Sequence, residues 1–408
     1  MKLILAILFL FCLKPGYNQN TDWTLTGILD IVLCVSGTGD MIWAATQNDG
    51  VKSLNKLTGE ITTYNVESGD FITNDFRAIK CFDNKIYAGS YYSGLYIFEN
   101  DTWTAFDTLN SPLPGNMVND IEYDDSTENI YIATDKGLAI LNNESWTLYD
   151  SLNSPLPGNR VTSLFFDKAN RLWIGTRYAG LAKYIDDTWE IYNYDNAGIN
   201  DNYIRTIYGD SSGILYVADY LGVDKYDPYT DDWLFVYNMF TSSISSNQVN
   251  RISFDHTGNL WFVTHNGVTK VDAYNYWTKY FTDNSNLPHN TSDGLFIDDD
   301  NNVWVGTFGG LAVINHHTLD IPELVPELMV LPNPVQSELI IQVNFPPSEI
   351  TDIIIFNALG EKLFSFETTS PFFGEVRFSR NIASLNKGVY FVKVEFEHTT
   401  LTQPFVKY

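Results

Sequence analysis

The sequence predicts an all-β chain in two units, and three observations carry that prediction: a motif repeating every 42 to 45 residues, an aromatic-rich and weakly charged composition, and an abrupt end to the period near Pro322. The motif reads MIWAATQNDGV, KIYAGSYYSGL, NIYIATDKGL, RLWIGTRYAGL, ILYVADYLGV, NLWFVTHNGV and NVWVGTFGGL, anchored by Trp43, Tyr87, Tyr131, Trp173, Tyr216, Trp261 and Trp304. A period of about 40–45 residues with strands in every copy is the signature of a β-propeller, so seven copies predict seven blades. Aromatic residues make up 15% and charged residues 18%, which excludes a disordered chain and favours a β core.

Each copy divides into four strands by alternation and turn punctuation. In residues 161–192, VTSLFFD is the first strand, DKAN turns into RLWIGT, RYAG turns into LAKYI, and DD leads into TWEIY. The second turn carries Gly50, Gly94, Gly137, Gly180, Gly222, Gly267 and Gly310 at matching places, which predicts a backbone conformation that a side chain would oppose. Trp103, Trp146, Trp189, Trp233 and Trp277 mark the fourth strand, with EITTY (60–64) in their place in the first copy. The seventh copy stops after GLAVIN without a fourth strand, while TDWTLT (21–26) matches DTWTAF and precedes the first inner strand. The amino-terminal strand is therefore expected to complete the last blade and close the ring, covering strand edges that an open array would expose.

The first residues place one Lys before an unbroken apolar run, Leu3 to Leu13, followed by Lys14, Pro15 and Gly16. Eleven apolar residues are too few to span a bilayer, so this reads as a secretory signal over 1–18 and not an anchor. A lipoprotein reading through Cys12 is the weaker one, because the large Phe11 precedes the cysteine. No later stretch reaches 18 apolar residues, so no transmembrane helix is expected in the mature chain. The remaining Cys34 and Cys81 fall one position out of register on the repeat and are expected to be free thiols. The formal net charge of −26 argues against nucleic acid and anionic membrane surfaces as partners, because both are bound through Lys and Arg.

The repeat resembles the two-component regulator propeller family, with RLWIGTRYAGL and NVWVGTFGGL as its nearest copies. In that family such propellers often serve as extracytoplasmic glycan sensors joined to a membrane helix and a kinase, neither of which follows here. Past a linker at 321–327, residues 328–408 read as a second small β unit, with LPNP (331–334), FNALGEKL (356–363), LNKGVYFVKV (385–394) and a terminal FVKY. These landmarks resemble the type IX secretion sorting domain of Bacteroidetes, the match lying in Pro332, Asn333, Pro334, Gly360, Gly388, Tyr390 and Lys407. The resemblance implies passage through the periplasm to the type IX secretion machinery, followed by release or attachment at the outer surface. The alternative is a β-sandwich adhesion or carbohydrate-binding module. The expected architecture is thus a seven-bladed β-propeller (19–320) closed by an amino-terminal strand, then a small β-sandwich sorting domain.

No nucleophile elbow, phosphate loop or zinc motif occurs, so no catalytic residue, cofactor or metal is assigned. Of the six histidines, His265 and His289 are left as candidates for active-site groups, and the expectation for both is a noncatalytic role. The acidic runs IDDDNN (297–302), YDDSTEN (123–129) and GDSSG (209–213) share one inter-strand turn, where Asp and Asn serve turn geometry better than calcium. LNSPLPGN recurs at 109–116 and 152–159 as a duplicated connector, and DTL (107–109) and DSL (150–152) resemble the O-glycosylation acceptor of Bacteroidetes.

The candidate binding residues lie four positions after each anchoring aromatic: Gln47, Tyr91, Asp135, Arg177, Tyr220, His265 and Phe308, with Tyr92 and Tyr178 beside them. Seven such turns should ring one mouth of the channel, and their variety of size and charge suits a specific, asymmetric ligand. The expected function is noncatalytic recognition of a glycan or protein by a secreted or surface-attached propeller. The alternatives are a propeller-type lyase or hydrolase on a polysaccharide, since virginiamycin B lyase and several glycan lyases share the architecture, and a structural or adhesive protein without a small ligand.

Overall fold

The computed structural model describes residues 23–408 apart from 83, 315–326, 349, 368–371 and 397–399. The expected leader at 1–18 and nearly all of the expected linker lie outside the described residues. Every named element is a strand. Among the described residues no helix is long and apolar enough to cross a membrane.

Each of the first six repeats forms a four-stranded antiparallel sheet whose strands neighbour one another in chain order, as in Val161–Phe166, Leu172–Thr176, Leu181–Ile185 and Thr188–Tyr192. The first strand of each blade packs against the first strands of both neighbouring blades, and Ser292–Ile297 of blade 7 packs back on Val32–Thr38 of blade 1. Seven first strands thus line a closed channel. The seventh blade is completed by Thr24–Leu25, which pairs antiparallel with Gly310–Ile314 in the register Thr24 to Val313 and Leu25 to Ala312. The expected clasp is therefore present.

Seven apolar clusters fill the seven interfaces between blades, each built from the facing sheets of two successive blades. Every anchoring aromatic is buried in one of them, and the fourth-strand tryptophans Trp103, Trp146, Trp189, Trp233 and Trp277 pack against their edges. Each interface is also plugged by one large apolar residue from the segment entering the next blade: Ile28, Phe71, Leu113, Leu156, Ile199, Ile244 and Leu287, all buried. The duplicated LNSPLPGN supplies two of these plugs, Leu113 and Leu156. Its closing asparagines, Asn116 and Asn159, accept the N–H groups of Thr108 and Ser151 at 2.9 and 2.7 Å. The anchoring indoles are tied down as well. Trp173, Trp261 and Trp304 donate Nε1–H to Asp167, Asp255 and Asp298, six residues earlier, at 2.8–2.9 Å.

The carboxy-terminal unit has two sheets around one core. One pairs Glu327–Leu331, Glu338–Ser348 and Phe372–Asn381; the other orders Lys362–Glu367, Ile350–Asn357, Gly388–Phe396 and Thr400–Lys407. Ile341, Ile353, Ile355, Val392, Val394 and Phe405 are fully buried between them. Glu327, placed at the end of the expected linker, pairs with Asn344, and Leu328–Leu331 continue the strand along Val343 to Ile340. The landmark residues hold its two ends together. Asn333 accepts the Val406 N–H at 2.9 Å, and Val335 donates its N–H to the Val406 carbonyl at 2.8 Å and accepts from Tyr408 at 3.1 Å. Both Pro332 and Pro334 follow cis peptide bonds on either side of Asn333. Gly360 sits in the hairpin turn at φ 81°, Gly388 opens a strand, the Tyr390 hydroxyl donates to the Asn386 carbonyl at 2.9 Å, and Lys407 is buried.

The clasp generates a test. Trp23 is buried, with its ring edge-on to Trp261 and Tyr280 at 6.3 and 5.6 Å. Trp23→Ala removes that contact and should cost about 3–5 kcal/mol, lowering the thermal midpoint in differential scanning calorimetry by several degrees. An unchanged midpoint would show that the ring does not depend on the clasp.

Candidate functional site

The inner strand of six blades slips register by one residue against the second strand, the slip falling between positions such as Val118 and Asp120, or Val249 and Arg251. The bulged residues are Leu33, Arg77, Asn119, Thr162, Asn250 and Asp293. In blade 5 the equivalent Arg205 donates its N–H to Ala218. A bulge leaves one residue unpaired and re-aims its side chain. All seven of these side chains line one cavity of ≈ 390 Å³ at the channel mouth, together with Tyr91, Arg160, Arg177, Tyr203 and Arg251.

The turn residues expected to bind form an outer tier around this cavity. The N–H groups of Gln47, Tyr91, Asp135, Arg177, His265 and Phe308 donate to the carbonyls of Ile31, Asp75, Met117, Arg160, Gln248 and Thr291, which precede the inner strands. The turns and the entrances of the inner strands therefore share one face. Of the nine expected residues, Tyr91 and Arg177 line the cavity itself. Tyr220 and His265 reach its wall through Arg205, at 5.8 Å from guanidinium to ring centroid and 3.2 Å from Nη2 to Nε2. Tyr178 stands edge-on to Tyr203 at 5.9 Å with Arg177 over its ring at 5.2 Å, and Tyr92 edge-on to Tyr91 at 4.3 Å. Phe308 instead stacks on His289 at 5.8 Å, and Gln47, Asp135 and Phe308 are outside the cavity lining.

The six bulged positions and their blade 5 equivalent escape the repeat reading because nothing in the anchoring motif marks them. Their signal is elsewhere, in the third residue after the Asn or Asp that closes each connector: D-IVL, N-DFR, N-MVN, N-RVT, N-YIR, N-QVN and N-TSD. There the apolar alternation slips phase by one residue, which is how a bulge shows in sequence.

Electrostatically the mouth is the reverse of the chain. Arg77, Arg160, Arg177, Arg205 and Arg251 face one lining carboxylate, Asp293. Arg77 lies over the Tyr91 ring at 3.8 Å and pairs with Asp75 at 3.3 Å. Arg205 and Asp293 both bond Asn250, whose Nδ2 also donates to the Ser292 carbonyl at 2.8 Å. Burial raises the carboxyl pKa of Asp293 against the pull of His265 and the arginines, and raises that of Asp120, deeper in the channel, against Arg251. Burial, then the Arg205 charge, hold the His265 imidazole below its ordinary pKa. A neutral His265 can accept a hydrogen bond from Arg205 and keep the guanidinium turned into the mouth.

The acidic runs brace their own turns, and Asp298 and Asp300 also pair with Lys56 of the adjoining blade at 3.2 and 3.0 Å. Asp298 accepts the N–H groups of Asp300 and Asn302 at 3.1 and 2.8 Å, and Asp124 and Asp210 accept in the same way. Among the described residues no group of three or more side chains could hold a metal ion. Cys34 and Cys81 are free and half-buried, burial pushing the Cys81 thiol up to about 12. Thr108 and Ser151 are exposed in their connectors.

Blade 5 departs from the others beside the mouth. Elsewhere the second strand ends in Thr or Ser, whose hydroxyl donates to the carbonyl of the following glycine at 2.7–3.0 Å. Here it ends in buried Asp219, which accepts from Leu221 and Gly222 at 2.6 and 2.9 Å and leaves Oδ2 without a partner. Burial, and next the charge of Asp224, push the Asp219 carboxyl up to about 7.

Residues 329–408 match the family described as secretion system C-terminal sorting domain, and residues 155–178 and 286–309 match the one described as two component regulator propeller. These two segments hold the inner and second strands of blades 4 and 7. Among solved structures the chain is similar to the extracellular domain of a protein described as the hybrid two component system BT3049 of B. thetaiotaomicron, at 17% identity and TM-score 0.63, covering 95% of this chain and 57% of that one. It is also similar to the extracellular domain of the one component system BT4673 of the same organism, at 18% identity and TM-score 0.59, covering 78% and 41%. A third likeness is to PorZ, described as an essential bacterial surface component of the type-IX secretion system of Porphyromonas gingivalis, at 14% identity and TM-score 0.53, covering 92% and 59%. The chain thus spans roughly two to three fifths of these proteins, and at such identities the likeness is one of fold. No curated protein matches.

The pH dependence of Asp219 can be measured. Its folded pKa lies above the free value of 3.8, so the folded protein holds the proton more tightly and stability falls as pH rises from about 4 to about 7. Asp219→Thr, which restores the residue used by most other blades, should raise the melting temperature by about 2–5 °C at pH 8 and by less at pH 5. An equal effect at both pH values would show that Asp219 ionises normally.

Proposed function

For a secreted surface propeller carrying two component regulator repeats and ending in a secretion sorting domain, we propose noncatalytic recognition of a glycan or protein ligand at the channel mouth. One observation carries the reading. The scaffold repeats seven times, whereas the seven side chains that the bulged position aims into one cavity include apolar, cationic, anionic and amide groups. Identical blades need no such variety for folding, and an asymmetric ligand does. Tyr91, Tyr203 and Tyr220 add flat faces with hydrogen-bonding edges, and Arg177 adds a planar donor fork.

The tail marks the chain for export to the cell surface or for secretion. The leader then serves entry to the periplasm, and the tail engages the type IX machinery before it is removed or attached at the surface. A second reading, a lyase or hydrolase, draws on the neutral His265 beside Arg205.

Two experiments test this function. On a glycan array and in affinity capture from surface extracts with the full chain, Tyr91→Ala, Arg177→Ala and Tyr220→Ala should each weaken the bound ligand about tenfold, with melting temperatures nearly unchanged. Normal binding by all three would move the site elsewhere, and a shortened product from a bound polysaccharide would replace recognition by catalysis. Removing residues 327–408 should leave the propeller in the periplasm, as read by cell fractionation. Normal surface delivery would refute the role given to the tail.

A further inference from the structure

We propose that the mouth takes an acidic saccharide, one carrying at least two carboxylate or sulfate groups. This rests on the reading of the mouth as the ligand site and names its ligand class. The chain has 24 basic and 50 acidic residues, and the propeller has six arginines. Five of the six converge on one cavity. The sixth, Arg171, is ion-paired with Asp167 at 2.6 Å and is not among the lining residues.

Three of the five have no carboxylate partner among the described residues. The Arg160 Nη2 donates to Met117 Sδ at 3.6 Å. Arg177 lies beside Tyr178 and Tyr203 at 5.2 and 5.3 Å, its Nε buried without a hydrogen-bond partner. Arg205 reaches Asn250, Tyr220 and His265, none of which supplies a negative charge. Guanidinium groups gathered in a half-enclosed cavity repel one another and lose hydration, and the neutral contacts of Arg160, Arg177 and Arg205 offset those costs without supplying an opposite charge. An anion removes both, and the planar forks suit carboxylate and sulfate oxygens.

The rest of the lining selects a sugar over an acidic peptide. Leu33 is the single aliphatic side chain among the lining residues, so an apolar peptide side chain finds almost nothing to pack on. Asn119, Thr162, Asn250 and Asp293 offer both donors and acceptors, as a ring of hydroxyls requires. Tyr91 and Tyr203 supply flat faces for the C–H side of a pyranose. The volume of ≈ 390 Å³ lies in the small-ligand range, room for about one or two sugar rings. The acidic exterior does not forbid such a ligand, because its field is screened within about 8 Å at physiological ionic strength.

The test is calorimetric titration of the full chain with five probes: trigalacturonate, a sulfated chondroitin disaccharide, neutral galactobiose, a tetraglutamate peptide and inorganic sulfate. The expected result is binding of trigalacturonate or the chondroitin disaccharide, the one that binds telling carboxylate from sulfate. Galactobiose and tetraglutamate should bind at least about tenfold more weakly, and added NaCl should weaken the complex. Arg160→Ala and Arg177→Ala should each cost about tenfold, while Arg177→Lys, which keeps the charge, costs less, all three with unchanged melting temperature. The acidic class is overturned if neither acidic saccharide binds, if galactobiose or tetraglutamate binds as well, or if inorganic sulfate alone binds as tightly. Galactobiose binding that Tyr91→Ala abolishes would overturn the acidic class and leave recognition at the mouth standing. Acidic-saccharide binding untouched by all mouth substitutions would overturn both.

Discussion

The mouth of the channel depends on a knot of hydrogen bonds made again in blade after blade. A Thr or Ser hydroxyl at the end of the second strand holds the carbonyl of the glycine that opens the third, as Thr176 holds Gly180 at 2.8 Å. The N–H of that glycine is given to the next connector, as Gly180 gives to Asn202 at 3.0 Å, and the Asn202 side chain closes its own loop on Tyr194 at 2.8 Å. A glycine is required there. Gly180 has φ 84°, and a Cβ on it would collide with the Tyr192 carbonyl at the end of the fourth strand. Second strand, third strand, fourth strand and connector meet at one point. Because backbone and hydroxyl groups make the knot, the side chains around the mouth are free to differ without weakening the blade.

That freedom has been used to build a charge distribution opposed to the rest of the molecule. A chain of formal charge −26 concentrates guanidinium groups where its inner strands begin. The fold permits this because none of the five arginines belongs to an interface cluster, so their side chains are not needed to hold the blades together. Blade 5 goes further. Its Asp219 and Asp224 are both buried beneath the connector that carries Tyr203, with Asn200 donating its N–H to Asp224 at 3.0 Å. Where sister blades place a neutral hydroxyl, a carboxyl held up by burial stands beside Tyr220.

Features fixed by local pattern were legible in the sequence, and features fixed by pairing were not. Trp173 and its six counterparts announce the blades because each must be large, aromatic and buried once per interface. The clasp was legible because TDWTLT carries the fourth-strand pattern at the wrong end of the chain. The bulged ring was passed over because its one sign in a single strand is a phase slip of the apolar alternation, and Thr162 or Asn119 alone reads as ordinary strand. Tyr91 and Arg177 line the cavity from that turn, whereas Gln47, Asp135 and Phe308, at the equivalent turns of other blades, lie outside its lining, a difference that the repeat pattern does not mark. The strand at Glu327–Leu331 was not legible, since Pro322 and Pro326 beside it speak for a linker and only its pairing with Ile340–Asn344 defines it.

The borrowed strand of blade 7 also sets how the tail is tethered. In the other six blades the chain leaves by the outermost strand, whose outer edge has no strand partner among the described residues. In blade 7 it leaves by Gly310–Ile314, which is hydrogen-bonded to Val303–Thr307 on one side and to Thr24–Leu25 on the other. Tension applied through the carboxy-terminal unit is therefore delivered to an interior strand. To yield, that strand must slide between two neighbours and break both ladders together, a stiffer response than the sequential unzipping of an edge, so the propeller is anchored at a mechanically resistant point of its ring.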